Sequence, residues 1–301
     1  MNSMKKYLMS IDRGILFMIF ASFASATMGG ISKAISGTIS GLELTFFHNF
    51  FGVLLIGFSI YKSPLKQIGG KPLLLFFRGA IGFLAMLLYF YVIAYIPLGE
   101  VVTYNRISPI FAAIFAYIFL KERLNRWSIF SILLGFLGIV LIAKPTGGEF
   151  NIYDILGILS GLFAGLAYTS IRELGRCYDT RAIVMSFMSV GMVSSLTFMT
   201  LASFVDAPKG LEFLFSPFVM PQGETWIYLI FMGLSSTLAM FLMTKAYEYT
   251  KAGVVGTISY LNIVFSLFIG VALGDAFPDL FVLLGMFLVI VSGVIVALSN
   301  R

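Results

Sequence analysis

The stretch FYVIAYIPLGEVVTYNRISPIFAAIFAYIFLKE, residues Phe90–Glu122, lies without a gap over MTKAYEYTKAGVVGTISYLNIVFSLFIGVALGD, residues Met243–Asp275, when the chain is slid along itself by 153 positions. Val101-Val102 then meets Val254-Val255, Pro109 meets Asn262, and Lys121-Glu122 meets Gly274-Asp275. Dropping three residues brings LLGF (Leu133–Phe136) onto LLGM (Leu283–Met286), and the opening helices align more weakly, with Lys33 opposite Arg172. Identity is low, so the pattern carries the match. It divides the chain into residues 10–145 and 152–299, two units of one design.

Working outward, the rest of the chain has the same character. Of its 301 residues 59% are apolar and 11% charged, where soluble domains carry roughly 25% charge; the mean hydropathy is +0.98. So few charges cannot clothe a soluble globule, and so much hydrophobicity excludes disorder. A helical span needs about 20 mostly apolar residues, and ten such runs fall at 14–35, 42–61, 73–95, 99–119, 127–143, 153–172, 182–204, 226–246, 252–273 and 279–298. Barrel strands would be about 10 residues long and alternate in and out; these runs do neither. The lone Cys177 and lone His48 leave no cluster for a metal, and no cofactor is expected.

Charge gives the orientation. Of the 20 lysines and arginines, fifteen fall on one side of the ten-span layout, two (Lys144 and Lys209) on the other, and three (Lys33, Arg78 and Arg106) within or at the ends of spans. That is a strong positive-inside bias, and it requires an even number of spans with both termini cytoplasmic. The net charge of +6 and pI near 9.3 are therefore a topology signal. Nucleic-acid binding would need the basic residues clustered on one face. With five spans per unit, the two units must enter the membrane from opposite sides. The expected fold class is all-α integral membrane, ten transmembrane helices as two inverted five-helix repeats. Many secondary transporters are built this way, with a site near the midplane between the halves.

The segments ELTFFHNFFGVLL (Glu43–Leu55), FFRGAIGFLAMLLYFYVIAYIPLGEVV (Phe76–Val102), SPIFAAIFAYIFLKERL (Ser108–Leu124), LLGFLGIVLIAKP (Leu133–Pro145) and GTISYLNIVFSLFIGVALGD (Gly256–Asp275) resemble the EamA family of the drug/metabolite transporter superfamily. The resemblance covers nearly the whole chain. It implies a two-repeat exporter or exchanger of small organic metabolites in a bacterial inner membrane, amino acids or their derivatives first, a nucleoside-containing metabolite such as S-adenosylmethionine second. The chain departs from the family pattern at His48, where many members carry Arg, and in the second repeat at Asn262 and Asp275.

Intramembrane charges are costly and mark function by default. Arg106 lies beside Asn105 and three residues before Pro109, a residue that weakens the helical ladder locally. A helix broken at Pro109 and carrying Asn105 and Arg106 suits an anionic group such as a carboxylate. The alternative is that Arg106 snorkels to the surface or ties to Glu43 or Glu100. Tyr104, Tyr168 and Tyr260 fall deep in their helices and are expected to line a cavity with Asn262. Glu43 and His48 sit at a similar depth to Arg106 and are candidates for proton coupling or charge compensation, since His titrates near neutrality. Lys33 is expected to anchor at the interface or pair with Glu43. Small-residue pairs such as Gly161-x-x-x-Gly165 and Gly270-x-x-x-Gly274 permit either close packing or sliding.

Other classes are disfavoured. There is no Walker A pattern for ATP. A membrane-embedded enzyme, the remote alternative, would want a nucleophile–base pair, yet His48 stands alone and no G-x-S-x-G occurs. A channel needs a repeated lining ring. The partners expected are a small-molecule substrate, the lipid bilayer and, as an open alternative, a coupled proton.

Overall fold

The computed structural model describes residues 2–66, 69–121, 126–143, 151–205, 207–208, 210–249, 255 and 258–299. Among them the chain is helical: α1 (Asn2–Ile35), α2 (Gly41–Lys62), α3 (Pro72–Val92), α4 (Leu98–Asn105), α5 (Ser108–Leu120), α6 (Arg126–Ala143), α7 (Ile152–Leu174), α8 (Thr180–Leu201), α9 (Thr225–Tyr249), α10 (Leu261–Ala272) and α11 (Leu280–Ser299), with one 3-10 turn at Glu212–Leu214. Seven helical segments are long and apolar enough to cross a membrane, one of them running through α4 and α5, and three shorter apolar helices accompany them. Helix is the required answer for such segments, because lipid offers the backbone no hydrogen-bond partners.

Helix caps explain where the acids lie. Glu43 accepts from the Ser40 backbone N–H at 3.1 Å and closes a capping box at the start of α2. Asp154 accepts from Asn151 N–H at 3.1 Å before α7, and Asp279 accepts from Val282 N–H at 3.0 Å at the start of α11. Asp275, from a distant segment, accepts from Leu98 N–H at 2.8 Å at the start of α4. Each carboxylate meets the unsatisfied N–H groups and positive dipole end of a helix. The helices so capped all begin at one end of the bundle, called here the acidic end. At the opposite, basic end Lys71 and Arg176 pair with Glu173, and the Lys71 ammonium holds that carboxyl below its ordinary range.

Two interruptions organise the interior. The fourth span, expected to break at Pro109, instead breaks at Arg106–Ile107, between α4 and α5, with Pro109 in the first turn of α5. Proline lacks the N–H that would bond back to Asn105 and its ring crowds that carbonyl, so the ladder stops before it. Ile107 (φ −75°, ψ −14°) starts the second segment. In the other half, Tyr260 (φ −69°, ψ −14°) starts α10. The two residues are 153 positions apart, the same offset that aligns the sequence with itself. The ends of these segments also correspond: Lys121 after α5 has φ 55° and Gly274 after α10 has φ 103°. Within the ninth expected span, residues 252–254, 256 and 257 lie outside the described residues.

Packing follows the same correspondence. α1 runs along α9 and α3 along α7; α5 lies on α7 and α1 on α10; α2 pairs with α8 and α6 with α11. Exchanging the halves turns the first contact into the second and the third into the fourth, and returns each of the last two to itself. Small residues allow the closest approaches: a Cβ at Gly138 would stand 2.7 Å from the Gly285 carbonyl across α6 and α11. In the same interface Ser131 Oγ donates to Ser292 O at 2.9 Å and Ser292 Oγ donates to Ser131 O at 2.6 Å. Of the two small-residue motifs, Gly161 and Gly165 receive the α4–α5 break, whose backbone leaves no room for a Cβ. Gly270 faces Leu98 and Asp275, whereas Gly274 is a left-handed helix terminator with open space around it.

Candidate functional site

A cavity of about 590 Å³ lies between the two broken helices. Asn105, Arg106 and Pro109 form one side of it, Tyr260 and Asn262 the other, and α1, α3 and α7 complete the wall through Met28, Tyr89 and Tyr168 among others. It extends toward the basic end, where Tyr168 (48% exposed) and Met243 (39%) stand at its rim. Toward the acidic end it is closed by packed apolar side chains, Leu98, Ile107 and Leu267 among them.

Hydrogen bonds fix the polar wall. Asn105 Nδ2 donates to Ser160 Oγ at 3.0 Å, and Ser160 Oγ donates to Ala85 O at 3.0 Å, locking the amide between α7 and α3. Tyr260 Oη donates to Arg106 O at 3.4 Å, so a side chain from one break caps a carbonyl released by the other. That ring lies on Gly293 of α11, where no Cβ would fit. Asn262 Nδ2 donates to Ser22 O on α1 at 3.0 Å. Arg106, Tyr89 and Tyr260 line the same cavity.

Four of the residues singled out from sequence lie elsewhere. Tyr104 is fully buried behind the break and its hydroxyl donates to Asp154 Oδ1 at 2.9 Å. Glu43 is engaged with Ser40 and, through Oε1, with Val219 N–H at 3.0 Å, which ties the chain before α9 to the start of α2; it does not reach Arg106. His48 is buried between α2, Phe90 and α9, with Nδ1 3.3 Å from Ser236 Oγ. Lys33 pairs with Asp275 at 2.7 Å and donates to Ile96 O at 2.8 Å, so its partner is not Glu43.

One cavity residue escaped the sequence reading. Arg78 on α3 is 7% exposed, its Cζ sits 4.6 Å from the Phe187 ring centroid, and its Nε and Nη1 have no hydrogen-bond partner. Gly82, one turn on, leaves the space that its Nη1 fills. The signal was present, since Arg78 is one of three cations within or at the ends of spans. A helix apolar on nearly every side does not reveal which face looks inward. Among the described residues no carboxylate lines the cavity.

The sequence profile of the EamA-like transporter family matches residues 12–144 and again 151–298. The chain belongs to the EamA-like transporter family. It is 33% identical to an uncharacterized transporter of Helicobacter pylori strain J99, over 95% of this chain and 94% of that one. It is 30% identical to a pseudopaline exporter of Pseudomonas aeruginosa, over 97% and 98% of the two chains. An S-adenosylmethionine uptake transporter of Rickettsia bellii is 22% identical over 96% and 94%. A crystal structure with 18% identity superposes with a TM-score of 0.60, covering 96% of this chain and 98% of that one, and shares the fold. As a member of this family the chain is a multi-pass membrane protein whose named relatives are transporters.

Proposed function

We propose that this protein is an alternating-access secondary transporter of small organic metabolites, amino acids or their derivatives first. In this reading it sits in a bacterial inner membrane as ten spans in two inverted five-helix repeats, 10–145 and 152–299, with both termini cytoplasmic. The observation that carries the proposal is the cavity set between two helix breaks related by the repeat offset of 153 residues. Broken helices put free backbone groups and polar side chains at mid-membrane depth, which is tolerable only where they face a cavity. Substrate is held by Asn105 and Arg106 on one side and by Tyr260 and Asn262 on the other, with Tyr168 at the rim. Arg106 anchors an anionic group. Tyr104 braces the α4 segment from behind through Asp154 and does not touch substrate.

The Lys33–Asp275 pair and the Asp275–Leu98 N–H bond fasten α1, α4 and the end of α10 together at the acidic end. This is the shut side, and the state is open toward the basic, cytoplasmic end. Glu43 serves as a cap and strap anchor. His48 is the group this reading assigns to a coupled proton, because it bridges α2 and α9 without lining the cavity. A nucleoside-containing substrate is the second reading, favoured by the similarity to the rickettsial uptake transporters. The test is counterflow of radiolabelled amino acids into proteoliposomes holding the purified protein. Saturable exchange that R106Q abolishes is expected; exchange unchanged in R106Q overturns the role of Arg106.

A further inference from the structure

We infer that the cavity selects a small solute with two acidic groups, one received by Arg106 and the other by Arg78. The inference rests on the transport reading above and deepens it. Both guanidiniums line one cavity, and among the described residues no Asp or Glu lines it with them. Arg78 is 93% buried, with two of its nitrogens unpartnered and its face stacked on Phe187. Stacking leaves the N–H edge free for a fork-like bond to a carboxylate or phosphate. Two uncompensated charges in a low-dielectric wall are strongly unfavourable, and the missing counter-charge is supplied by the cargo.

The two cations lie at neighbouring levels. The Arg78 guanidinium reaches over Gly82, and Asn105, the neighbour of Arg106, is tied through Ser160 to Ala85, three residues further along α3, or about 4.5 Å of rise. Two acidic groups on one short carbon chain can reach both. Tyr89 and Tyr168 line the same cavity, so neutral hydroxyl donors accompany the two cations. A net cation such as S-adenosylmethionine, with its sulfonium and ammonium against one carboxylate, is repelled at both positions.

The experiment uses the full-length protein in proteoliposomes with radiolabelled glutarate, L-glutamate, L-glutamine and S-adenosylmethionine. Glutarate and glutamate should be exchanged in preference to glutamine, and S-adenosylmethionine should not be exchanged. Losing a charge-assisted contact corresponds to a roughly tenfold or greater fall in apparent affinity. R78Q should therefore lose the preference for glutamate over glutamine while still exchanging glutamine. R78K should keep part of that preference, and R106Q should lose exchange of all compounds. Monodisperse elution of each variant establishes that it is folded. Equal exchange of glutamine and glutamate by the unaltered protein, or a preference untouched in R78Q, overturns the inference and leaves the transport reading standing. A panel in which nothing is exchanged overturns both.

Discussion

The α4–α5 break and the break before α10 are the same backbone event with different chemistry. Each begins its second segment from a residue in near-identical conformation. The first carries Asn105 and Arg106 and leads into Pro109; the second carries Tyr260 and, at the position of that proline, Asn262. Their supports differ as well. The first rests on Gly161 and Gly165 of α7, so its backbone touches the helix behind it. The second rests on α1 at Ser22, where Asn262 bridges to the Ser22 carbonyl. One break is held by backbone contact and presents charge; the other is held by a side chain and presents neutral donors. In the proposed reading, a duplicated frame keeps its geometry while only one copy takes on the substrate's charge.

The largest effect is expected at the floor of the first break. A Cβ at Gly161 would run into the Tyr104 carbonyl, and backbone cannot yield as a flexible side chain does. Gly161→Val should cost about 3 kcal/mol or more, at the upper end of overpacking penalties, and remove the monodisperse, thermally stable species in detergent. Ser22→Ala tests the other floor. Ser22 Oγ is buried without a partner and Asn262 uses only the backbone carbonyl, so this variant should be neutral or slightly stabilising. A Gly161→Val protein as stable as Ser22→Ala would show that the two breaks are supported alike.

Next comes the chemistry. Arg106→Gln removes the anchor of the substrate's charge and should abolish measurable counterflow, a loss beyond the roughly 10- to 150-fold in apparent affinity that one charge-assisted contact worth about 1.5–3 kcal/mol carries. Tyr260→Phe removes a neutral hydroxyl bonded to Arg106 O at 3.4 Å and should cost no more than about tenfold. Concentration dependence of counterflow separates the two. Equal losses would mean that the second break shares the anchoring role.

Sequence alone carried the frame and missed the faces. Pro109 pointed to the first break; the second, at the corresponding position of the repeat, was not expected, because Asn262 stands where the proline would be. Pro109 set the first one two to three residues late, since proline stops the ladder ahead of itself. Asn105, Arg106, Pro109, Tyr168, Tyr260 and Asn262 all reach the cavity wall. Tyr104, adjacent to Asn105, turns the other way toward Asp154. No apolar–polar period exists to tell those two apart in a span that is apolar all round. Arg78 was hidden for the same reason. Lys33 and Asp275 are 242 positions apart, and nothing local links a helix end to a loop acid; their pairing is a product of the packing of α1 against α10.

That pairing offers a third, intermediate test, since it fastens α1 to the end of α10 at the acidic end, while at the basic end the Lys71–Glu173 pair joins α3 to α7. Asp275→Asn keeps an acceptor for Leu98 N–H but removes the charge that holds Lys33. A cysteine placed at Ser25, on the cavity wall, in a protein with Cys177 replaced by Ser, reports access by a membrane-impermeant thiol reagent. In the parent it should be modified from the basic side alone. In Asp275→Asn it should be modified from both sides. Labelling that remains one-sided would leave the acidic end shut by its apolar packing alone.

The smallest effect should come from the last point of comparison, the residues that end the two segments. Lys121 and Gly274 correspond, and both are left-handed, at φ 55° and φ 103°. A side chain in that region costs about 1–2 kcal/mol, which Lys121 bears and Gly274 avoids. Lys121→Gly relieves this strain but adds freedom to the unfolded chain, so the net gain should be no more than about 1 kcal/mol. Gly274→Ala has no such offset: φ 103° lies beyond the left-handed well at about +57°, so the loss should exceed the Lys121→Gly gain. Thermal unfolding of both variants in one detergent measures the asymmetry. A loss from Lys121→Gly would mean that the Lys121 side chain makes an interaction outweighing its strained backbone, and the two segment ends would then differ in role as well as in residue.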